Sequence, residues 1–486
     1  MDTAPLERLD SFPYRHRVAD LMTAPIVAVP ATATVAEAAR TMIERHVSSV
    51  AVLDDDGRLQ GIVTEHDVMR TVVRDPAHPA LGVAEIMGTP VHGIDADALV
   101  YRALARMARL GVRHLPVIDE AGRPLGMLTA RSLLKQRASL ALTLGDEIDH
   151  AADAATLRTA FAKLPALAAA LRQEDVAAVQ VSAVIAGVTR DVTARAGELA
   201  LAAMRDQGHG EAPARWCLLV LGSAGRGETL LTPDQDNALI HDGSDTLDSW
   251  FAAFAEKLNS LLDAAGVPFC KGGVMASNAT FRRSLDGWCS EIDSWIDRPQ
   301  PDAMLNVDIF YDFAPVLGER SLAHALRNHA VAAAAKSPMF LRLLAAASER
   351  GDGAFDLLGR LRTENGRSDL KLRGLFPVVA GARAIALAWK SAATSTDSRL
   401  AESAAKGALP PDTAADLTAA RAAIVEAILD QQLADVAAGL APSTRVDPKR
   451  LKRAGLRRLR KALAVAGETP ERVREALTNR SLERTP

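Results

Sequence analysis

Residues 18–134 of this 486-residue chain are written as one pattern twice. Val18 to Arg70 and Val83 to Leu134 share one order of parts: a VA-x-x-M opening (VADLM, then VAEIM), an extended segment, an amphipathic helix, a strand, a DxxGR hairpin turn, and a Gly-led strand running into a second helix. The second copy starts 65 residues after the first. Two such supersecondary units are expected to bury one shared face.

This repeat resembles a tandem pair of CBS domains, spanning residues 16–138 as copies 16–75 and 80–138 after an N-terminal arm at 1–15. The resemblance implies a regulatory α/β module that binds adenine nucleotides and closes a homodimer. In that family a Ser/Thr-x-x-Asp at the strand-to-helix turn contacts ribose and phosphate. The first copy keeps it as Thr64 and Asp67, whereas the second has Thr129 and Ser132, so one ribose site is expected per pair. Thr64 serves equally as an ordinary helix cap. His46, His66, His92 and His114 fall in or beside the module without ligand spacing, and packing or surface roles are expected.

The chemistry lies in Leu218 to Ile240, LLVLGSAGRGETLLTPDQDNALI. Its apolar start predicts a buried strand. Gly222 lets backbone approach a phosphate. Asp234 and Asp236 on a strand would project side by side, roughly 7 Å apart at Cα. Their repulsion, roughly 3 kcal/mol at an effective dielectric near 20, predicts a cation between them. Oxygen donors point to Mg²⁺ or Mn²⁺.

Gly222-Ser223, ten residues, then Asp234-x-Asp236 resembles the signature of the polymerase-beta-like nucleotidyltransferases. The fuller string is similar to bacterial CBS-domain nucleotidyltransferases related to the protein-PII uridylyltransferases. The resemblance implies a mixed-sheet core at 214–320 and a helical C-terminal substrate-binding domain at 321–486. It implies two Mg²⁺ ions on Asp234, Asp236 and a third carboxylate, Asp312, with Asp308 as the alternative on the same face of a strand. Ala314 stands where the family often has arginine. It also implies Gly222 and Ser223 around the triphosphate of an NTP donor, Arg226 neutralising charge there and oriented by Glu228, and Lys371 as a phosphate or substrate contact. On their own residues Asp369 and Lys371 read as a capping acid and a surface base.

The remaining chain is helical. Ala155 to Gln173 and Val176 to Met204 show three- and four-residue apolar spacing and form an expected connector at 139–213. Leu247, Trp250, Phe251, Phe254, Leu258, Leu261 and Leu262 mark one helix face ended by Gly266. Lys271, beside Gly272 and Gly273, reads as a solvated lysine. Nine bases against one acid in Arg445 to Lys461 could draw a polyanion. Without interleaved aromatics, and with a net charge of −3, nucleic acid is not the expected partner.

Cys217, Cys270 and Cys289 form no CxxC and suit a reducing cytosol without a zinc site. Neither a signal peptide nor an 18-residue apolar run is present, so a cytoplasmic protein with no membrane span is expected. The sum is a multidomain α/β and α chain. It reads as an Mg²⁺-dependent enzyme that passes NMP from NTP to a protein acceptor under CBS control. The alternative is a catalytically inactive nucleotide-sensing protein.

Overall fold

The computed structural model describes residues 17–74, 81–119, 122–130, 132–133, 144–298, 304–349 and 353–483. It divides after residue 143 into two units. The expected arm at 1–15 and the first connector residues, 139–143, lie outside the described residues.

In the first unit both copies build the same three-stranded sheet. Strand β1 (Ala28–Pro30), helix α1 (Val35–Glu44), β2 (Ser49–Leu53), β3 (Leu59–Thr64) and helix α2 (Glu65–Arg74) form the first. Strand β4 (Ile94–Asp95), helix α3 (Val100–Leu110), β5 (His114–Ile118) and β6 (Pro124–Thr129) form the second. In each, the first strand is parallel and the third antiparallel to the middle one, and the hairpin register shifts at equivalent points, Val52/Leu53 and Val117/Ile118. The capping box Thr34-x-x-Glu37 starts α1: Glu37 N–H donates to Thr34 Oγ1 and Thr34 N–H to the Glu37 carboxylate.

The two openings are exchanged. Val18 and Leu21 pack into the second copy's core with Ile94 and Leu128, while Val83 and Met87 join the first copy's Val29 and Val63. Val18 N–H donates to Ala98 and Val83 N–H to Ala33. Each copy therefore completes the other's apolar core, which is why the pattern is needed twice.

After a helical stretch at 144–149, the second unit continues with helices α4 (Ala154–Phe161), α5 (Leu164–Gln173) and α6 (Ala178–Asp206). These follow the expected apolar periodicity, and they pack on the sheet of this unit. The sheet has strand order β10-β7-β8-β9: β7 (Trp216–Val220), β8 (Asn237–His241), β9 (Arg282–Ser284) and β10 (Ala314–Gly318), with only β8 and β9 parallel. Alternation sends Leu218 and Leu239 to one face, against Val192 of α6 and Phe254 and Leu258 of helix α8 (Asp248–Ala264). Cys217, Leu219, Ala238 and Ile240 face the other side, with Trp288, Phe310 and Leu322. Burial on both faces explains the unbroken apolar run in β7. A short helix α7 (Gly222–Arg226) follows β7, and α9 (Leu285–Asp297) follows β9.

One expectation fails here. Asp308 is not in a strand: Met304–Phe310 is helix α10, Asp312 lies in the turn after it, and β10 begins at Ala314. The buried set Val307, Phe310 and Tyr311 has three- and four-residue spacing, which a helix satisfies and a strand does not.

The C-terminal part is helical: α11 (Arg320–Ala334), α12 (Pro338–Ala346), α13 (Phe376–Ala388), α14 (Thr396–Ala405), α15 (Pro411–Ala437), α16 (Arg453–Gly467) and α17 (Thr469–Glu483), with a two-stranded ladder of β11 (Ser368–Asp369) and β12 (Arg445–Val446). Every residue of α13 from Pro377 to Ala388 is buried, as expected for a helix apolar on all sides. Its single charge, Arg383, is 2% exposed. Among the described residues no single helix is long and apolar enough to cross a membrane.

Candidate functional site

The segment Asp234-Gln235-Asp236-Asn237 alternates in function as well as direction. Gln235 and Asn237 point inward and are buried. The Gln235 amide donates to the carbonyls of Asn259 (3.0 Å) and Val267 (2.8 Å). Asn259 in α8 donates to Gln235 Oε1 (2.8 Å) and Asn237 Oδ1 (3.1 Å), and Ala276 N–H donates to Asn237 Oδ1 (2.8 Å). These buried amides pin the segment, so Asp234 and Asp236 project together on the other side. Neither Gln235 nor Asn259 stood out in the sequence; the period-2 alternation of DQDN was the available signal.

Asp234, Asp236 and Cys270 bring one ligand atom each to within 4.8 Å of one another. Burial, and then the neighbouring Asp234 charge, push the Asp236 carboxyl up to about 6, against the pull of Cys270, Lys371 and Arg226. Lys371, in the single π-turn Lys371–Leu375, thus adds its charge to this site, while Asp369 caps that turn by accepting from Leu372 N–H at 3.1 Å. Lys271 is exposed, as expected of a solvated lysine.

Gly222 sits at φ +54°, and a Cβ there would lie 2.7 Å from Asp236 Oδ2. Only glycine lets the turn pass this close to the carboxylate, so that backbone rather than a side chain lies beside the acid pair. Half-buried Ser223 lies next to it, its Oγ 3.5 Å from Thr229 Oγ1. Two carboxylates, a sulfur, a glycine turn and a lysine are donors that fit a divalent cation carrying a polyphosphate.

Asp312 and Asp308, expected as third ligands, do not join this group and are engaged by arginines instead. Asp312 is fully buried and its two oxygens are taken by three guanidinium groups: Arg226 (2.5 Å), Arg383 (3.0 and 2.5 Å) and Arg399 (2.6 Å). Asp308 pairs with Arg383. Arg226 also donates to Glu228 at 2.9 Å, as anticipated. Glu228 in turn accepts from Thr396 N–H (2.6 Å) and its hydroxyl (3.0 Å). Arg226, Arg383, Arg399 and Arg421 face Asp308, Asp312, Glu228 and Asp397, four charges of each sign. Arg226 therefore holds its place beside the Gly-Ser turn through carboxylates rather than lying free.

Arg190 of α6, also unmarked in the sequence, donates to the carbonyls of Ala224 (2.7 Å) and Gly225 (2.8 Å) at the end of α7. Gly225 admits no side chain: a Cβ would lie 1.6 Å from the Asp312 carbonyl oxygen and 2.9 Å from that of Val220. Gly225→Ala is expected to destabilise the second unit by about 1–3 kcal/mol or more. A thermal melt checks this, and an unshifted transition would refute the packing argument.

In the first unit a cavity of about 890 Å³ opens beside Thr64 and Asp67, with Ser48, His66, His92 and His114 among its walls. Thr64 N–H (3.0 Å) and hydroxyl (2.6 Å) donate to Asp67, and Asp67 N–H donates back at 3.3 Å. In the second copy Ser132 takes the acid's place in the same exchange with Thr129. The cap thus survives in both copies, and the carboxylate in one. His114 Nε2 lies 3.0 Å from Ser48 Oγ, and burial pushes its imidazole pKa down. His46 is remote, at the end of α1.

Residues 18–74 and 83–139 each match the family model "CBS domain". Residues 162–302 match "Putative nucleotidyltransferase DUF294", and 338–477 match "Putative nucleotidyltransferase substrate binding domain". Among curated proteins, an uncharacterized 17.7 kDa protein of Acidianus ambivalens is 34% identical over 120 residues, 24% of this chain and 71% of that protein. An uncharacterized Methanopyrus kandleri protein is 31% identical over 118 residues, 24% of this chain and 60% of that one. A Methanocorpusculum labreanum protein named homoserine O-acetyltransferase is 34% identical over 116 residues, again 24% of this chain but 23% of its own length. These relatives are archaeal.

Among solved structures, a CBS domain protein from Pyrobaculum aerophilum complexed with AMP is 27% identical, with a TM-score of 0.24, over 26% of this chain and 97% of that one. A CBS-domain protein from Agrobacterium tumefaciens is also 27% identical with a TM-score of 0.24, over 25% and 92%. By these matches the chain belongs to the CBS-domain proteins, and its CBS pair is followed by a nucleotidyltransferase domain of the DUF294 family and by that family's substrate-binding domain.

Proposed function

We propose that the second unit transfers a nucleoside monophosphate from an NTP to a protein acceptor, as the resemblance to protein-PII uridylyltransferases suggests. The observation that carries this reading is the pinned Asp234-Asp236 pair packed directly against the Gly222 turn. A divalent cation on the pair, Mg²⁺ or Mn²⁺ by its carboxylates, would supply Lewis-acid activation of the acceptor oxygen and neutralise charge on the leaving pyrophosphate. Asp234 and Asp236 would hold that cation. Gly222 and Ser223 receive the β and γ phosphates, and Lys371 approaches from the C-terminal domain. Arg226, fixed by Glu228 and Asp312, adds positive potential at the turn. The acceptor oxygen forms the new bond to the α-phosphorus as the bond to pyrophosphate breaks, and its proton passes to water.

The first unit is the regulatory part in this reading. An adenine nucleotide would enter the cavity beside Thr64 and Asp67, with the Asp67 carboxylate exchanging its Thr64 contacts for ribose hydroxyls. Exposed Ile43 on α1 and Met69, Val72 and Val73 on α2 support pairing of two copies through this module. The sensing alternative draws on one observation: neither Asp308 nor Asp312 joins the acid pair.

The deciding experiment incubates the protein and a cell lysate with each α-labelled NTP and Mg²⁺ or Mn²⁺, with and without ATP, ADP or AMP. Label on a protein band is expected with wild type and not with Asp234→Ala/Asp236→Ala. If no label moves under any condition, the core is a sensor.

A further inference from the structure

Cys270 is distinct among the three cysteines. Cys217 lies in the apolar face of β7, and burial pushes its thiol up to about 12. Cys289 is half-buried on α9. Cys270 instead stands beside two carboxylates. A parallel bridge pairs Gln235 with Phe269. Residues one step further along two parallel strands point to the same side, so Cys270 is turned to the face that Asp236 occupies. Its Sγ completes the group within 4.8 Å and hydrogen-bonds Asp236.

The turn after it is built around the sulfur. Gly273 N–H donates to the Cys270 carbonyl at 3.0 Å, and the amides of Gly272 and Val274 point at Sγ. These amides fix the direction of the sulfur, as outer hydrogen bonds do for metal ligands, while burial and the Asp236 charge push the thiol pKa up. Two acids and a thiol within reach of one point, with amides already aimed at the sulfur, make a three-donor site with open positions, unlike a packing cysteine.

The geometry points to Cys270 as the third ligand of the cation site, in the place the sequence suggested for Asp312, giving an oxygen and sulfur donor set that favours Mn²⁺, Co²⁺ or Zn²⁺ over Mg²⁺. A thiolate is a poor partner for Mg²⁺ and a good one for borderline first-row ions. On binding, the thiol gives its proton to solvent. This inference rests on the nucleotidyltransferase reading for the position of the cation and not for what is transferred.

The test uses the full chain stripped of metal by chelation and titrated with Co²⁺. A thiolate-to-cobalt charge-transfer absorption is expected in wild type and in Cys289→Ala, and not in Cys270→Ser. Cys270→Ser is expected to weaken Co²⁺ binding by at least about tenfold while changing Mg²⁺ binding much less. Co²⁺ or Zn²⁺ should slow alkylation of Cys270 by iodoacetamide, read by peptide mass spectrometry with Cys289 as internal reference. Asp234→Asn/Asp236→Asn should remove that protection. Co²⁺ binding that survives Cys270→Ser unchanged and shows no charge-transfer band would overturn the assignment, as would no Co²⁺ binding by wild type. None of these readouts needs nucleotidyl transfer, so a cobalt-thiolate band in a protein that transfers nothing would remove the proposed activity and leave this ligand set standing.

Discussion

Replacing Asp236 by asparagine is expected to lower nucleotidyl transfer by at least about a thousandfold, the scale on which a pre-positioned charged group at the reacting centre acts. The same variant, free of metal, is expected to melt at or above the wild-type temperature. Its sign follows from the site: Asp236 is pressed between burial and the Asp234 charge, so without a cation the folded state carries a repulsion that asparagine removes. The segment itself is held by Gln235, Asn237 and Asn259, which the substitution leaves in place. Activity is measured by the label-transfer assay and stability by thermal melting in chelator. A variant that transfers at the wild-type rate refutes the site, and one that melts well below wild type assigns Asp236 to the fold instead.

Asp312→Ala is expected to do the opposite and damage the fold first. Its carboxylate is fully buried and shared by Arg226, Arg383 and Arg399, so truncation leaves a buried net positive charge. Breaking such a network from one side costs about 3–5 kcal/mol. For a unit of roughly 340 residues that is a fall of about 4–7 °C in melting temperature if it unfolds in one step. Adding Arg383→Met removes the excess charge and should restore part of the loss, a coupling that a double-mutant cycle measures. If Asp312 were instead a metal ligand, Asp312→Ala would leave the metal-free melt unchanged and weaken cation binding. A melt within a degree of wild type would therefore return Asp312 to the metal.

Much of the architecture was readable because local patterns record it. The doubled VA-x-x-M, helix and hairpin order foretold the strands of both three-stranded sheets, and the run Leu218–Leu221 announced a buried strand. The pair Asp234 and Asp236 was legible for the same reason, since its message is in adjacent residues. Asp308 and Asp312 were misread because their spacing fits two periods: alternate residues in a strand, or one helical turn. Only the burial of Val307, Phe310 and Tyr311 decides between them. Their partners Arg383 and Arg399 come from α13 and α14, more than seventy residues later, and no local pattern records a contact of that range. Cys270 was passed over because ligand sets are recognised by spacing, and its companions lie on another segment, brought alongside by one bridge at Phe269.

The eight-charge cluster also bears on how such a protein can be assembled over generations. A segment can be shuffled between genes only if it leaves its old neighbours without an open charge. Here the Gly-Ser turn's supports, Asp308, Asp312 and Glu228, are balanced by Arg383, Arg399 and Arg421 from beyond residue 320. A crossover between them would strand acids in one product and guanidinium groups in the other. The nucleotidyltransferase sheet and the helices after it are thus tied together by charge, whereas the exchanged openings at Val18 and Val83 let the paired module close its own cores.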